Sequence, residues 1–195
     1  MASQFIDLLW PLLLLVGWEH VRLDPGNTVV TPLDFSDYPL SHSLLGVAIW
    51  GLGFALVYFM IRRSARGAIV LGLCVVSHWL LDLVVHRPDL PLTFSGEARA
   101  GIGLWNSFAG TVVVEVGMLA LGGGMYLRST KPNDRIGRYA AWGLVFILLA
   151  IYAANLFGPP PPDPQAIAVA GNALWLFVLW AYWADKHRSI VGAES

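Results

Sequence analysis

Apolar runs too long for a soluble core set the frame for this 195-residue chain. They fall at about 5–18, 40–61, 67–86, 104–127, 139–157 and 166–184. Several are about 20 residues, enough to cross a hydrocarbon core of about 30 Å as helix. Lipid offers a backbone no hydrogen bonds, so runs of this length mean helices. Charged residues make up only 13% of the chain and the mean hydropathy is +0.62. Soluble domains carry about a quarter charged residues. So few charges cannot build a water-facing surface, and the bilayer must be part of the solvent. The expected fold is all-α: one polytopic transmembrane domain over residues 1–195, with about six spans.

The first run, Phe5–Gly17, has the length of a leader's apolar core. No Lys or Arg precedes it, Asp7 lies within it, and Gly17-Trp18-Glu19-His20 is no small-x-small cleavage site. It therefore reads as a retained, rather short first span. Turn chemistry fills the connections, as in Asp24-Pro25-Gly26-Asn27, Arg87-Pro88-Asp89 and the proline run 159–162. No internal repeat is visible, so the inverted-repeat signature of many transporters is missing. The single Cys74 rules out an intrachain disulfide.

Orientation follows from the basic residues. Arg62, Arg63 and Arg66 follow the second run, and Arg128, Lys131, Arg135 and Arg138 the fourth. Lys186 and Arg188 follow the sixth, making nine of twelve on one side, against Arg22, Arg87 and Arg99 on the other. The positive-inside rule puts the nine in the cytoplasm, and six spans then place both termini there. A bacterial inner membrane is the expected location and membrane lipids are the expected neighbours. The basic residues form no groove-fitting stripe, and the net charge of -1 suggests no polyanion, so nucleic acid is not an expected partner.

Four of five histidines fall on the opposite, extracytoplasmic side: His20, His42, His78 and His86. His187, in the tail Asp185-Lys186-His187-Arg188, reads as a solvated basic end. In Ser77-His78-Trp79-Leu80-Leu81-Asp82-Leu83-Val84-Val85-His86 the spacing i, i+4, i+8 puts His78, Asp82 and His86 along one helical face. His-x-x-x-Asp offers one neutral nitrogen and one anionic oxygen to a common point, which suits zinc or a similar divalent ion. Burying an Asp in lipid costs about 2.5–3.5 kcal/mol or more, so the pair needs a reason to be there. An interhelical hydrogen-bond clamp is the bland alternative. His42 opens the second run from the same side and completes a three-ligand set, with His20 and His86 as further candidates. Asp37 precedes the second run and Glu115 sits mid-way in the fourth, so both are candidates for general base or additional ligand.

Ser41-His42-Ser43-Leu44-Leu45, followed by Ser77-His78-Trp79-Leu80-Leu81-Asp82, resembles the paired motifs of the YdjM-like membrane-bound metal-dependent hydrolases. That family is remotely similar to zinc-dependent phospholipase C. The resemblance covers about residues 37–86 and implies His42, His78 and Asp82 as metal ligands in helical surroundings. Asp37-Tyr38-Pro39-Leu40-Ser41 departs from the His-Arg-Gly run and the Thr that often precede the family's first His. The resulting expectation is a zinc-dependent hydrolase acting at the extracytoplasmic surface, on a substrate such as a lipid-derived phosphoester. A metal-ion or proton transporter is the main alternative, because buried His, Asp and Glu serve such pathways too. A structural protein with incidental histidines is the third.

Overall fold

The computed structural model describes residues 1–192. In chain order it has α1 (Phe5–Leu15), a hairpin of β1 (His20–Leu23) and β2 (Leu33–Asp37), α2 (Pro39–His42), α3 (Leu44–Arg62) and α4 (Ala65–Val85). There follow β3 (Leu90–Pro91), β4 (Arg99–Ala100), α5 (Phe108–Ser129), β5 (Thr130–Pro132), α6 (Arg135–Phe157), α7 (Pro164–Asn172), α8 (Leu174–Lys186) and β6 (Arg188–Ile190). Three two-stranded antiparallel ribbons, β1–β2, β3–β4 and β5–β6, join the helices. The chain clusters into two units, Met1–Phe108 with Pro161–Asn172, and Ala109–Pro160 with the chain from Ala173.

The fold is an all-α membrane bundle in which, among the described residues, five helical runs are long and apolar enough to cross a bilayer. These are α3, α4, α5, α6 and Pro164–Lys186, the last divided by a turn at Ala173 into α7 and α8. The first apolar run is different. As α1 it has 11 residues, about 16 Å at 1.5 Å per residue and roughly half a hydrocarbon core. Phe5 at its start packs against Trp50 and Phe54, well inside α3. With five crossing-length runs instead of six, a shared side for the two ends no longer follows from counting.

In the first unit α3 and α4 run antiparallel and pass close together where Gly51 faces Gly72. A Cβ on either glycine would stand 3.0 Å from the other's carbonyl oxygen. Small residues at such crossings are how membrane helices gain dispersion contact, since lipid supplies no hydrophobic drive between helices. A buried cluster of Ile6, Val21, Phe35, Tyr38, Val47, Val75, Trp79 and Leu90 then ties α1 and the first hairpin to one end of the α3–α4 pair.

The second unit holds α5, α6 and α8. Asp134 caps α6 by accepting from Gly137 N at 2.8 Å, and its other oxygen meets His187 Nδ1 at 2.6 Å. The Gly137 hydrogen bond and His187 hold the Asp134 carboxyl below its ordinary range. His187 is thus part of a tail clamp, with Arg188 donating to Thr130 and Gly137 O. The solvated basic end read from the sequence is corrected accordingly: β5–β6 pairing folds the tail back onto the start of α6.

Candidate metal centre

Three stretches far apart in sequence converge at the His42 end of the α3–α4 pair. His42 closes α2, which Pro39 opens at a position that needs no N–H donor. Extended Ser43 (φ -70, ψ 147) breaks the helix there, and its Oγ caps α3 by accepting from Gly46 N at 3.0 Å. His42 is thereby held at a joint, 5% exposed. His78 and Asp82 lie one turn apart on α4, and both are largely buried. Asp7 comes from the first turn of α1. Gln4 Nε2 donates to its Oδ2 at 2.5 Å, which leaves Oδ1 facing the imidazoles.

Asp7 Oδ1 stands 3.5 Å from His42 Nε2 and 3.4 Å from His78 Nε2. Asp82 Oδ2 stands 3.4 Å from His78 Nε2 and 3.9 Å from His42 Nε2. The ligand atoms of Asp7, His42 and His78 all lie within 4.8 Å of one another. An imidazole–carboxylate hydrogen bond closes to about 2.7–3.2 Å. None of the four separations does. Ligands about 2.0–2.1 Å from a tetrahedral ion stand about 3.3–3.4 Å from one another, close to three of the four. His78 Nε2 and Asp82 Oδ2 are moreover buried without any hydrogen-bond partner. Half-buried Asp7 and largely buried Asp82, whose ion pairs among the described residues are with these two histidines alone, also suit a compensating cation where both imidazoles are neutral. Geometry, unmet polar atoms and charge all fit a divalent ion.

The outer layer fits as well. His78 Nδ1 donates to Ser3 O at 2.8 Å, so a neutral ring turns the Nε2 lone pair toward Asp7 and Asp82. His42 Nδ1 meets Ser41 Oγ at 2.7 Å, and Ser41 Oγ meets Glu19 Oε2 at 2.5 Å. Glu19 Oε1 accepts from Ser41 N at 2.8 Å, and the residue is 1% exposed. Burial pushes the Glu19 carboxyl up, against the downward pull of its two Ser41 hydrogen bonds. Ligating histidines ordinarily have such partners on the second ring nitrogen. A cleft of about 260 Å³ lies between the end of α1 and the start of α7, and it reaches Glu19 rather than the ligand atoms.

The remaining candidates lie elsewhere. His86 is aligned with His78 in spacing but not in space. The helix ends at Val85, two residues before the Arg87-Pro88 bond, and His86 is already extended (ψ 144). Its Nδ1 meets Asp89 Oδ1 at 3.0 Å, and Phe35, Tyr38 and Trp105 surround the ring. Burial and the Asp89 carboxylate push the Tyr38 phenol far up, so it stays a neutral donor toward Asp89 O. His20 and Asp37, opposite each other in the β1–β2 register, pair at 2.7 Å as exposed side chains. Neither shares the ligand cluster. Glu115 belongs to the second unit, where it faces the Tyr152 hydroxyl.

Two residues of the site, Asp7 and Glu19, are missing from the sequence-based set. The signal for Asp7 was present: a carboxylate inside an apolar run, the same argument that singled out Asp82. Glu19 carries no signal beyond its place at the end of that run. Comparison with protein-family models, curated proteins and solved structures finds no match for this chain.

Proposed function

We propose that this chain is a membrane-embedded hydrolase dependent on a divalent metal, most naturally zinc, which cleaves a lipid-derived phosphoester at the extracytoplasmic surface. The observation that carries the reading is the set of ligand atoms at metal-edge spacing, with His78 Nε2 and Asp82 Oδ2 buried and unmet. Asp7 Oδ1, His42 Nε2 and His78 Nε2 hold the ion, one anionic oxygen and two neutral nitrogens. When bound, a divalent ion supplies a Lewis acid toward a phosphoryl oxygen and makes water acidic near neutral pH. Asp82 Oδ2 has no donor of its own and takes the proton of the attacking water. The sequence resemblance to YdjM-like hydrolases runs through three of these four residues.

The extracytoplasmic placement rests on charge. Arg62, Arg63 and Arg66 lie at the end of the α3–α4 pair away from this site, and the positive-inside rule puts that end in the cytoplasm. A site at the other end of the pair suits a substrate whose chains stay in lipid while its headgroup reaches this depth. A transporter remains the second reading, favoured by Glu115 facing Tyr152 within α5 and α6.

The test is elemental analysis of detergent-purified protein, followed by assay on phosphatidic and diester lipids in mixed micelles. About one zinc per chain is expected, with hydrolysis that chelation abolishes and zinc restores. No bound metal defeats the reading. Metal without hydrolysis, but with zinc uptake into proteoliposomes, favours the transporter.

A further inference from the structure

We propose that Glu19, acting through the Ser41 hydroxyl, sets the tautomer of His42 and thereby decides whether Nε2 presents a lone pair or an N–H to the ligand cluster. The inference rests on the reading of His42 as a ligand. It concerns a part of the structure that this reading does not need, a buried carboxylate one hydroxyl removed from the imidazole.

The argument is one of hydrogen counting. Ser41 Oγ has one proton and three neighbours: Glu19 Oε2 at 2.5 Å, His42 Nδ1 at 2.7 Å and Tyr38 O at 3.5 Å. An ionised Glu19 can only accept. Its Oε1 already takes Ser41 N–H, and its Oε2 takes the hydroxyl proton. Ser41 Oγ then has only lone pairs to offer His42, so Nδ1 must donate to it. A neutral imidazole carries one proton, and with that proton on Nδ1 the Nε2 lone pair is free. With Glu19 ionised, the direction of the chain is Nδ1–H to Oγ–H to carboxylate, and its anionic end makes His42 a stronger ligand. Glu19 and Ser41 are positioning residues; neither has an atom in the ligand set.

The same counting makes Glu19→Gln a reversal rather than a deletion. The amide oxygen takes over from Oε1 in accepting Ser41 N–H, and the amide nitrogen stands where Oε2 stood. It donates to Ser41 Oγ, the hydroxyl turns to donate to His42 Nδ1, and the proton moves to Nε2, where it blocks the metal. Ser41→Ala merely cuts the chain and leaves His42 free to choose. The double variant should therefore behave like Ser41→Ala, because the introduced amide has lost its route to the ring. Ser41→Thr keeps the hydroxyl and should behave like the parent.

The experiment is ¹⁵N NMR of histidine-labelled, metal-free full chain in detergent at alkaline pH, followed by zinc titration of the same samples. His42 is assigned by its loss in His42→Gln. Expected are an Nδ1–H signature in the parent and an Nε2–H signature in Glu19→Gln. Zinc affinity should fall about 100-fold in Glu19→Gln and about 10-fold in Ser41→Ala and in the double variant. Thermal melts confirm folding. An Nε2–H tautomer in the parent overturns the inference without any variant. So does a double variant whose loss is the product of the two single losses. A parent with the expected tautomer that binds no zinc refutes the metal reading and leaves the tautomer control standing.

Discussion

Asp7 Oδ1 and His42 Nε2 stand 3.5 Å apart, although a helix and a hairpin separate them along the chain. A hydrogen bond would have drawn them closer, and simple charge avoidance would not have buried the histidine beside two carboxylates. The separation fits two ligands around a third party. Its first consequence concerns Asp7 itself. Asp7→Asn keeps the shape and removes the anionic ligand, so zinc affinity should fall more than the 10–100-fold typical of outer-layer losses. Isothermal titration measures this; parental affinity in a folded Asp7→Asn protein would remove Asp7 from the site.

Asp82→Asn separates holding the ion from handling the proton. With Asp82 Oδ2 as proton acceptor, turnover should drop about 10²–10⁴-fold. Zinc affinity should fall less than in Asp7→Asn, yet more than in His86→Ala, because His86 already spends its Nδ1 on Asp89. Steady-state kinetics at saturating zinc provides the first number and titration the second. A larger affinity loss in His86→Ala would require a site rebuilt nearer Asp89.

His20→Ala and Asp37→Asn should leave zinc affinity and turnover at parental levels. Their pair is exposed on both sides, and exposed ion pairs contribute about 0–1 kcal/mol. Loss of metal in either variant, with the fold intact, would show that the hairpin reaches into the site.

How far the sequence went is visible in these residues. Helix existence was legible because lipid leaves an apolar backbone run no other structure. The convergence of His42, His78 and Asp82 was legible because they lie at corresponding ends of consecutive apolar runs, where antiparallel packing must bring them level. The place of His86 was not legible because i+8 spacing has meaning only while the helix lasts, and the helix ends at Val85. The pairing of His20 with Asp37 was not legible because their hairpin lies in a stretch with no periodic signal, and the register alone joins them. Asp7 carried the same signal as Asp82, a carboxylate inside an apolar run, but its partners were not legible. Its role depends on a half-length helix turning back so that Ser3 O meets His78, a tertiary contact no local pattern encodes.

Glu19 gives a pH prediction of unusual sign. A carboxyl pushed up by burial binds its proton more tightly folded than unfolded, so its stabilising contribution is present at low pH. It is lost as pH rises from the ordinary glutamate range through the raised value. Metal-free Glu19→Gln lacks this loss. Above that window it should melt at or above the parent's temperature, although it holds zinc less well. Melting curves of both proteins across pH, with and without chelator, make the comparison. A Glu19→Gln protein that is less stable than the parent at every pH would contradict the assigned cost of burying the charge.

Metal removal itself should be visible as lost stability. An ion that binds only the folded chain raises stability by about 2.7 kcal/mol at 100 times its Kd. Chelation should lower the melting temperature of the parent but not that of His78→Ala. An equal shift in both would locate the ion elsewhere.

The passage of Gly51 across Gly72 works as the jaw of a calliper. His78 rides on one arm, and His42 sits on the short α2 joined to the other arm through Ser43, so the gap between helix backbones bears on the bite an ion would meet. Zinc wants bonds of about 2.0–2.1 Å and calcium about 2.3–2.6 Å, a difference of a few tenths of an ångström. That is also the amount by which a methyl group at Gly51, 3.0 Å from Gly72 O, would have to spread the arms. Under the metal reading, the choice of ion would then rest on Gly51 and Gly72 as much as on the ligands.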